Sequence, residues 1–327
     1  MHLSLSVLLF VIVLALIFDF INGFHDTANA IATVISTRVM TPRFAIIMAA
    51  VLNLVGALSG TKVAHTVGAG LVTSIGQATI IAALLSAIIW DLLTWYFGLP
   101  TSSSHALLSS LVGAGIAEAG TNVLVWKGIE KVLIALILSP LIGFVFGLFL
   151  MIFLFWTFSR ARPSTVTGVF KNLQIFSAAY MAFSHGNNDA QKTMGIIALA
   201  LMNYRGSTVL TVPIWVIVLC AVAMAFGTAV GGWRIIKTLG MRLVALRPIH
   251  GFAAETAAAT VIEFASHMGL PLSTTHVISS TIMGVGASRR LSAVRWGIGG
   301  NIIMAWVLTL PACAILGWSI CKMILWP

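Results

Sequence analysis

Charge is what this sequence has least of. Asp, Glu, Lys and Arg together make up 8% of 327 residues, and only eight of these are acidic. An ordinary soluble domain is about 25% charged, so this chain has too little polar surface to stay dissolved in water. The three cysteines, Cys220, Cys313 and Cys321, lie in apolar stretches without Cys-x-x-Cys spacing. A disulfide scaffold is excluded, and they read as small buried hydrophobes. Lys and Arg are also missing ahead of the first apolar run, and no small-x-small site follows a short one. A cleaved signal peptide is therefore not expected. These gaps exclude a soluble enzyme, a secreted mini-domain, a disordered chain and a nucleic-acid-binding domain.

Apolar sequence is present in excess. Hydrophobic residues are 59% of the chain and the mean hydropathy is +1.06. Runs near the ~20 residues that cross a bilayer recur along the whole length. The expected fold class is an all-α polytopic membrane protein. Ten crossings are expected, at 5–37, 44–66, 78–97, 102–118, 131–157, 173–202, 210–232, 248–268, 273–288 and 294–321. The first and sixth are expected to break near 22–28 and 185–189, where Gly and charged residues interrupt them.

The net charge of +10 is then a topology signal, because Lys and Arg gather in cytoplasmic loops. With the N-terminus outside, the inside segments hold Arg38, Arg43, Arg160, Arg162, Lys171, Arg234, Lys237, Arg242, Arg247, Arg289, Arg290 and Arg295. The outside segments hold Lys62, Lys127, Lys131, Arg205 and Lys322. Both termini are thus expected in the periplasm, with the protein in the cytoplasmic membrane of a bacterium.

The sequence repeats itself. Asn22-Gly23-Phe24-His25-Asp26-Thr27-Ala28-Asn29 recurs 163 residues later as His185-Gly186-Asn187-Asn188-Asp189-Ala190-Gln191-Lys192. Gly98-Leu99-Pro100-Thr101-Ser102-Ser103-Ser104-His105 recurs 171 residues later as Gly269-Leu270-Pro271-Leu272-Ser273-Thr274-Thr275-His276. Two motifs in one order at nearly one offset mark a duplication. The expected parts are a transmembrane repeat over 1–157, a basic linker over 158–172 and a second repeat over 173–327. An odd number of crossings per repeat inverts the second copy. Many secondary transporters are built this way, with the site near midplane where broken helices meet.

An ionised carboxylate inside an apolar run costs several kcal/mol unless paired, so Asp26 and Asp189, each in a duplicated motif, and Glu255 are candidates. Asn22, Asn188 and Gln191 add ligands beside them, and together these six are the candidate coupling-cation residues. A structural polar knot is the plainer alternative. Asp91 and Glu263 precede the two Ser/Thr motifs at spacings that differ by one residue, and Asp19 has no assigned role. Ser102, Ser103, Ser104, Ser273, Thr274 and Thr275 follow a helix-ending Pro. They read as N-caps, and also as an oxyanion cradle, since a helix N-terminus presents free N–H groups and partial positive charge. Asn29 and Lys192 hold equivalent places in the two repeats and join that anion site. Lys192 is either paired internally with Asp189, three residues back, or in contact with a bound anion. His25, His105, His185 and His276 each sit in a motif and are candidates for proton handling. No metal or resident cofactor is expected.

At these motifs the sequence resembles the inorganic phosphate transporter (PiT) family. Its duplicated Gly-x-Asn-Asp-x-x-Asn-Ala signature is similar to Gly23-Phe24-His25-Asp26-Thr27-Ala28-Asn29-Ala30 and to the segment Ser184–Lys192. Its Pro-x-Ser-x-Thr-His element matches Pro271–His276 and, less closely, Pro100–His105. The resemblance implies a symporter, often dimeric, of inorganic phosphate, free or as a metal–phosphate complex, coupled to Na⁺ or H⁺. It implies coupling acids at Asp26 and Asp189, phosphate contacts at Ser102, Ser104, Ser273 and Thr275, and a functional acid at Glu255. His25 replaces the first signature Asn, Lys192 replaces an Asn, and Asn53 stands where animal members carry a Glu. These departures favour H⁺ over Na⁺. The alternative substrate is sulfate or another tetrahedral oxyanion. An aspartyl dyad in the membrane leaves the Ser/Thr motifs without a role, so enzymatic activity is not expected.

Overall fold

A computed structural model describes residues 4–73 and 75–326. Residues 1–3 and 327, at the outer limits of the two expected repeats, lie outside the described residues, as does residue 74. The fold is all-α. Among the described residues, twelve α-helices run in order: α1 (Leu5–Ser36), α2 (Pro42–Ala57), α3 (Lys62–Ala69), α4 (Gln77–Phe97), α5 (Ser103–Ala119), α6 (Trp126–Thr157), α7 (Pro163–Arg205), α8 (Ile214–Val230), α9 (Trp233–Lys237), α10 (Pro248–His267), α11 (Thr274–Ala287) and α12 (Trp296–Leu325). Among the described residues, four helices are each long and apolar enough to cross a membrane: α1, α4, α6 and α12. Two bent pairs, α2–α3 and α8–α9, raise the number to six when each pair is one span.

The ten expected crossings resolve differently around the serine and threonine motifs. Segments 78–97 and 102–118 become α4 and α5, two limbs of a hairpin. Segments 248–268 and 273–288 become α10 and α11, a second hairpin. Each turn is made by a Gly with positive φ, Gly98 at 67° and Gly269 at 69°, followed two residues later by a Pro that prevents the helix from continuing. Both turns are largely buried, and Ser104 Oγ of the first hairpin donates to Leu272 O of the second at 3.0 Å. A crossing helix would end in water; these end against each other inside the protein.

The two ends of the molecule can be told apart. Asn203 near the end of α7 donates to Ile75 O at 2.8 Å, and Cys321 of α12 lies 3.7 Å from Thr79 at the start of α4. The loops around Val72 and Leu124 pair there. Gly240, at the other end, packs against Ala32 of α1, and Val244 pairs with Val294. α1 is about 48 Å long at 1.5 Å per residue, so its start and the end of α12 share one end. The first hairpin opens to that terminal end and the second to the opposite end. Each repeat therefore contributes three through-going paths and one hairpin, an odd number of paths, and the inversion holds.

The expected breaks at 22–28 and 185–189 are absent, since α1 and α7 run through them. Asp26 and Asp189 find side-chain partners, so the helical backbone bonds stay intact. The breaks lie at Leu58–Thr61 and Gly231–Gly232, with bends of 71° and 60°. The linker expected over 158–172 is helical from Pro163 onward.

The motif glycines have a packing role. A Cβ on Gly23 would meet Met224 O of α8, and one on Gly186 would meet the Asn53 backbone of α2. These equivalent contacts let α1 approach α8 and α7 approach α2 closely, as small residues do between membrane helices. The hairpins interlock the repeats: α5 packs on α12 through Gly113 and Gly317, and α11 packs on α6 through Gly143, Gly147 and Gly284. Gly186→Val is expected to push α7 off α2 and destabilise the fold by about 1–3 kcal/mol or more. A lower thermal midpoint in detergent, with aggregation on expression, would report it.

Large apolar side chains such as Ile137, Leu141 and Phe149 of α6, and Met304, Val307 and Ile315 of α12, face outward. With the polar motifs buried and the apolar residues outside, the chain is a multi-pass membrane protein.

Candidate functional site

Asp26 lies about two-thirds of the way along α1 and Asp189 about two-thirds of the way along α7. Ligand atoms of Asp26, His185 and Asp189 all lie within 4.8 Å of one another, and all three residues are buried. The duplication has thus brought its two mirrored acids together between the hairpin tips.

Each acid has a histidine. His25 Nδ1 lies 2.7 Å from Asp26 Oδ1, and its Nε2 lies 3.2 Å from Thr94 Oγ1. Thr101 Oγ1 donates to Thr94 Oγ1 at 2.8 Å. A polar chain therefore runs from the first hairpin turn to Asp26. On the other side, His185 Nε2 lies 3.2 Å from Asp189 Oδ2 and its Nδ1 lies 3.1 Å from Asn53 Oδ1. Asn53 donates in turn to Thr228 Oγ1 at 2.8 Å.

The hydroxyl motifs divide by role. Ser102 Oγ accepts from His105 N, and Ser273 Oγ accepts from His276 N, each at 3.1 Å. These two are N-caps of α5 and α11. Thr274 Oγ1 donates to Asp189 Oδ2 at 2.9 Å. Asn29 Nδ2 donates to Thr275 Oγ1 at 2.9 Å and to Thr274 Oγ1 at 3.3 Å. Ser104 joins the tips, as described. Ser103 Oγ, Asn29 Oδ1 and Asn22 Oδ1 are buried without a partner. An orphaned buried polar atom costs about 1–3 kcal/mol, so Asn22 Oδ1 and Asn29 Oδ1, each about one turn from Asp26 on α1, mark a place where a polar ligand fits beside that acid.

Lys192 is 2% exposed. Its ammonium donates to Asp189 Oδ1 and Ser104 Oγ, and to Leu272 O at 2.7 Å. The internal pair with Asp189, one of the two arrangements considered for this residue, is present.

His105 and His276 face each other at the junction of the tips, ring centroids 4.4 Å apart. Trp306 of α12 stacks on His276 at 4.0 Å and donates from Nε1 to Pro100 O at 2.9 Å. Neither histidine touches an acid, so they join the hairpins rather than extend the acid cluster.

Three candidates sit elsewhere. Asn188 Nδ2 donates to Ser266 Oγ at 2.7 Å, and Asn188 Oδ1 accepts from Leu272 N at 3.3 Å, which fastens the second hairpin turn. Gln191 Oε1 accepts from Val63 N at 2.8 Å, satisfying the start of α3. Glu255 lies one turn further along α1 than Asn29. It accepts from Thr33, from Ser177 and, at 3.1 Å, from Gln174 Nε2. That clamp is separate from the paired acids.

The sequence reading missed Thr94 and Thr101 beside His25, Thr33, Gln174 and Ser177 around Glu255, and Trp306. Thr33 is seven residues after Asp26, two turns along the same face of α1, and Gln174 and Ser177 share one face of α7. That spacing was available. Nothing in the sequence separates Trp306 from tryptophans that anchor helices at the interface.

The phosphate transporter family matches residues 22–317. The chain belongs to the phosphate transporter family. A "Probable low-affinity inorganic phosphate transporter" of Rhizobium meliloti (strain 1021) is 48% identical over 319 residues, 96% of this chain and 95% of the relative. A protein of the same description from Bacillus subtilis (strain 168) is 47% identical over 322 residues, 97% of each chain. The solved structure titled "The sodium-dependent phosphate transporter" superposes with a TM-score of 0.87 over 98% of this chain and 99% of that one, at 24% identity. It shares the fold with this family member.

Proposed function

We propose that the protein is a cation-coupled symporter that imports inorganic phosphate across the cytoplasmic membrane of a bacterium by alternating access. The observation that carries this reading is the approach of Asp26 and Asp189 at the meeting point of the two hairpin tips, among unpartnered buried oxygens. The N-termini of α5 and α11 open at the same place and offer N–H groups and partial positive charge to an anion. Ser103, Ser104, Thr274, Thr275 and Asn29 supply hydroxyl and amide groups around it. The paired acids attract a cation, and a bound cation lowers the cost of placing phosphate beside them.

A transport cycle in this geometry begins when the tips part toward one side. Cation and phosphate enter together, the tips close over them, and the second hairpin opens the opposite side. Binding either ion alone leaves uncompensated charge in the low-dielectric centre, and this couples the two. The basic loops at the end opposite the termini support a cytoplasmic position for that end and a periplasmic one for the termini. The bacterial relatives support the choice of membrane.

H⁺ is the coupling ion we favour. His25 and His185 lie against the two acids, and the chain Thr101–Thr94–His25–Asp26 connects the first hairpin turn to Asp26. Such a chain of donors and acceptors passes protons without coordinating a metal ion.

Sulfate fits the same cradle in shape. Phosphate at neutral pH keeps a hydroxyl that donates to an acceptor-only carboxylate such as Asp26, and sulfate does not. In proteoliposomes, labelled phosphate uptake is expected to be suppressed by excess unlabelled phosphate and unaffected by equal sulfate. Equal suppression by sulfate would move the assignment to an oxyanion permease without phosphate preference.

A further inference from the structure

Lys192 occupies the kind of oxygen nest that a transported cation takes. Its ammonium nitrogen touches a carboxylate (Asp189 Oδ1), a hydroxyl (Ser104 Oγ) and a backbone carbonyl (Leu272 O). Carboxylate, hydroxyl and carbonyl oxygens are the hard donors that Na⁺ and similar ions use in place of water, and carbonyls at interrupted helices supply them in transporters. The three donors come from α7, the first hairpin and the second hairpin, the elements whose separation the cycle requires. An ammonium group has three N–H bonds, and all three are committed to this nest, so none is left for an oxyanion in this arrangement.

The mirrored position makes the contrast. Asn29, 163 residues earlier, is neutral, keeps Oδ1 without a partner, and bonds Thr274 and Thr275. One half of the duplicated site thus holds a free oxygen, and the other holds a fixed positive charge.

We infer that Lys192 is a tethered cation that fills one coupling-ion position permanently, so that this chain needs one fewer dissolved cation per phosphate than the same site with a neutral residue there. The ammonium neutralises Asp189 and draws both hairpin tips onto α7. The dissolved coupling ion is left to Asp26 and the histidines. Lys192 is therefore a residue that sets ion specificity. The inference rests on the transport reading for its meaning, and on the nest alone for its geometry.

The test replaces Lys192 with the neutral residue of the mirrored position. Wild type, Lys192→Asn and Lys192→Gln are purified in detergent, and thermal midpoints are measured without phosphate. NaCl is compared with N-methylglucamine chloride at equal ionic strength. Lys192→Asn is expected to gain a saturable stabilisation specific to Na⁺, and wild type none. In proteoliposomes with equal pH on both sides, Na⁺ is expected to stimulate phosphate uptake by Lys192→Asn about tenfold or more, the change expected when a ligand binds one state preferentially. Wild type should change less than about twofold. Absence of any Na⁺-specific response in both neutral variants, by midpoint and by uptake, overturns the inference. So does a saturable Na⁺ response in wild type. If Lys192→Asn folds only when Na⁺ is present during purification, that rescue supports it; failure to fold with and without Na⁺ passes the decision to Lys192→Gln. A wild-type protein that carries no phosphate would remove the transport reading and leave the Na⁺ contrast between variants intact.

Discussion

Asp189→Asn is expected to abolish phosphate uptake, by about a hundredfold or more, and to destabilise the protein. The carboxylate has two jobs. It accepts from Thr274 at 2.9 Å and lies 3.2 Å from His185, within the paired-acid site. It also neutralises the buried ammonium of Lys192. Removing one member of a buried ion pair costs about 3–5 kcal/mol, because the partner charge is left without compensation. The double variant Asp189→Asn/Lys192→Met removes both charges and is expected to recover most of the thermal stability while uptake stays lost. Asp26→Asn separates the jobs from the other side. Asp26 contacts His25 at 2.7 Å and no lysine, so the variant should fold close to normally and still fail to transport. Uptake assays beside thermal midpoints in detergent check all three. Asp26→Asn that transports at the wild-type rate would remove the acid from the mechanism.

Locking the hairpin tips together is expected to have an effect of similar size. His105 and His276 are buried and face each other across the junction at 4.4 Å, with Trp306 closing over one of them. In a His105→Cys/His276→Cys protein, a short bifunctional thiosulfonate reagent should reach both thiols only while the tips are parted. Bridging them should then reduce phosphate uptake about tenfold or more, since opening of one side is the step that admits substrate. Reduction should restore uptake. The native cysteines, Cys220, Cys313 and Cys321, are buried, which limits background reaction. Uptake unaffected by complete bridging would mean that the tips do not separate during transport.

The composition and the duplicated motifs were enough to read the fold class, the inversion and the identity of the paired acids. The helix breaks were not legible in detail. Gly and Asp inside an apolar run read as an interruption, yet Gly23 and Gly186 sit within continuous helices, where they admit a neighbouring backbone. His25 on the same helix pairs with Asp26, and His185, Lys192 and Thr274 pair with Asp189, so the backbone had no reason to open. The interruptions went to Gly60 and Gly231–Gly232, which carry no motif.

The hairpins show a second limit. The entering limbs α4 and α10, of 21 and 20 residues, are as long as crossings, while the returning limbs α5 and α11 have only 17 and 14, and hydropathy sees only length and polarity. What distinguishes them is burial of the turn, a tertiary fact set by Ser104, Leu272, Asn188 and Trp306. The basic-residue pattern survived this change because each hairpin replaces two crossings and leaves the sidedness of every other loop unaltered. Within the site, spacing picked out residues that the fold brings to the hairpin tips and said little about which of them bond to one another. Ser102 and Ser273 are caps, Asn188 and Gln191 hold backbone, and Lys192 is paired internally.

The central claim is that the paired acids between the tips couple phosphate entry to a cation, with H⁺ favoured. Phosphate accumulation in Na⁺-free proteoliposomes, under an imposed pH gradient with the interior alkaline, tests it most directly. The expected result is transient accumulation above the equilibrium level, abolished by a protonophore and absent in Asp26→Asn. Phosphate that only equilibrates across the membrane, or accumulates equally well in Asp26→Asn, would contradict the account.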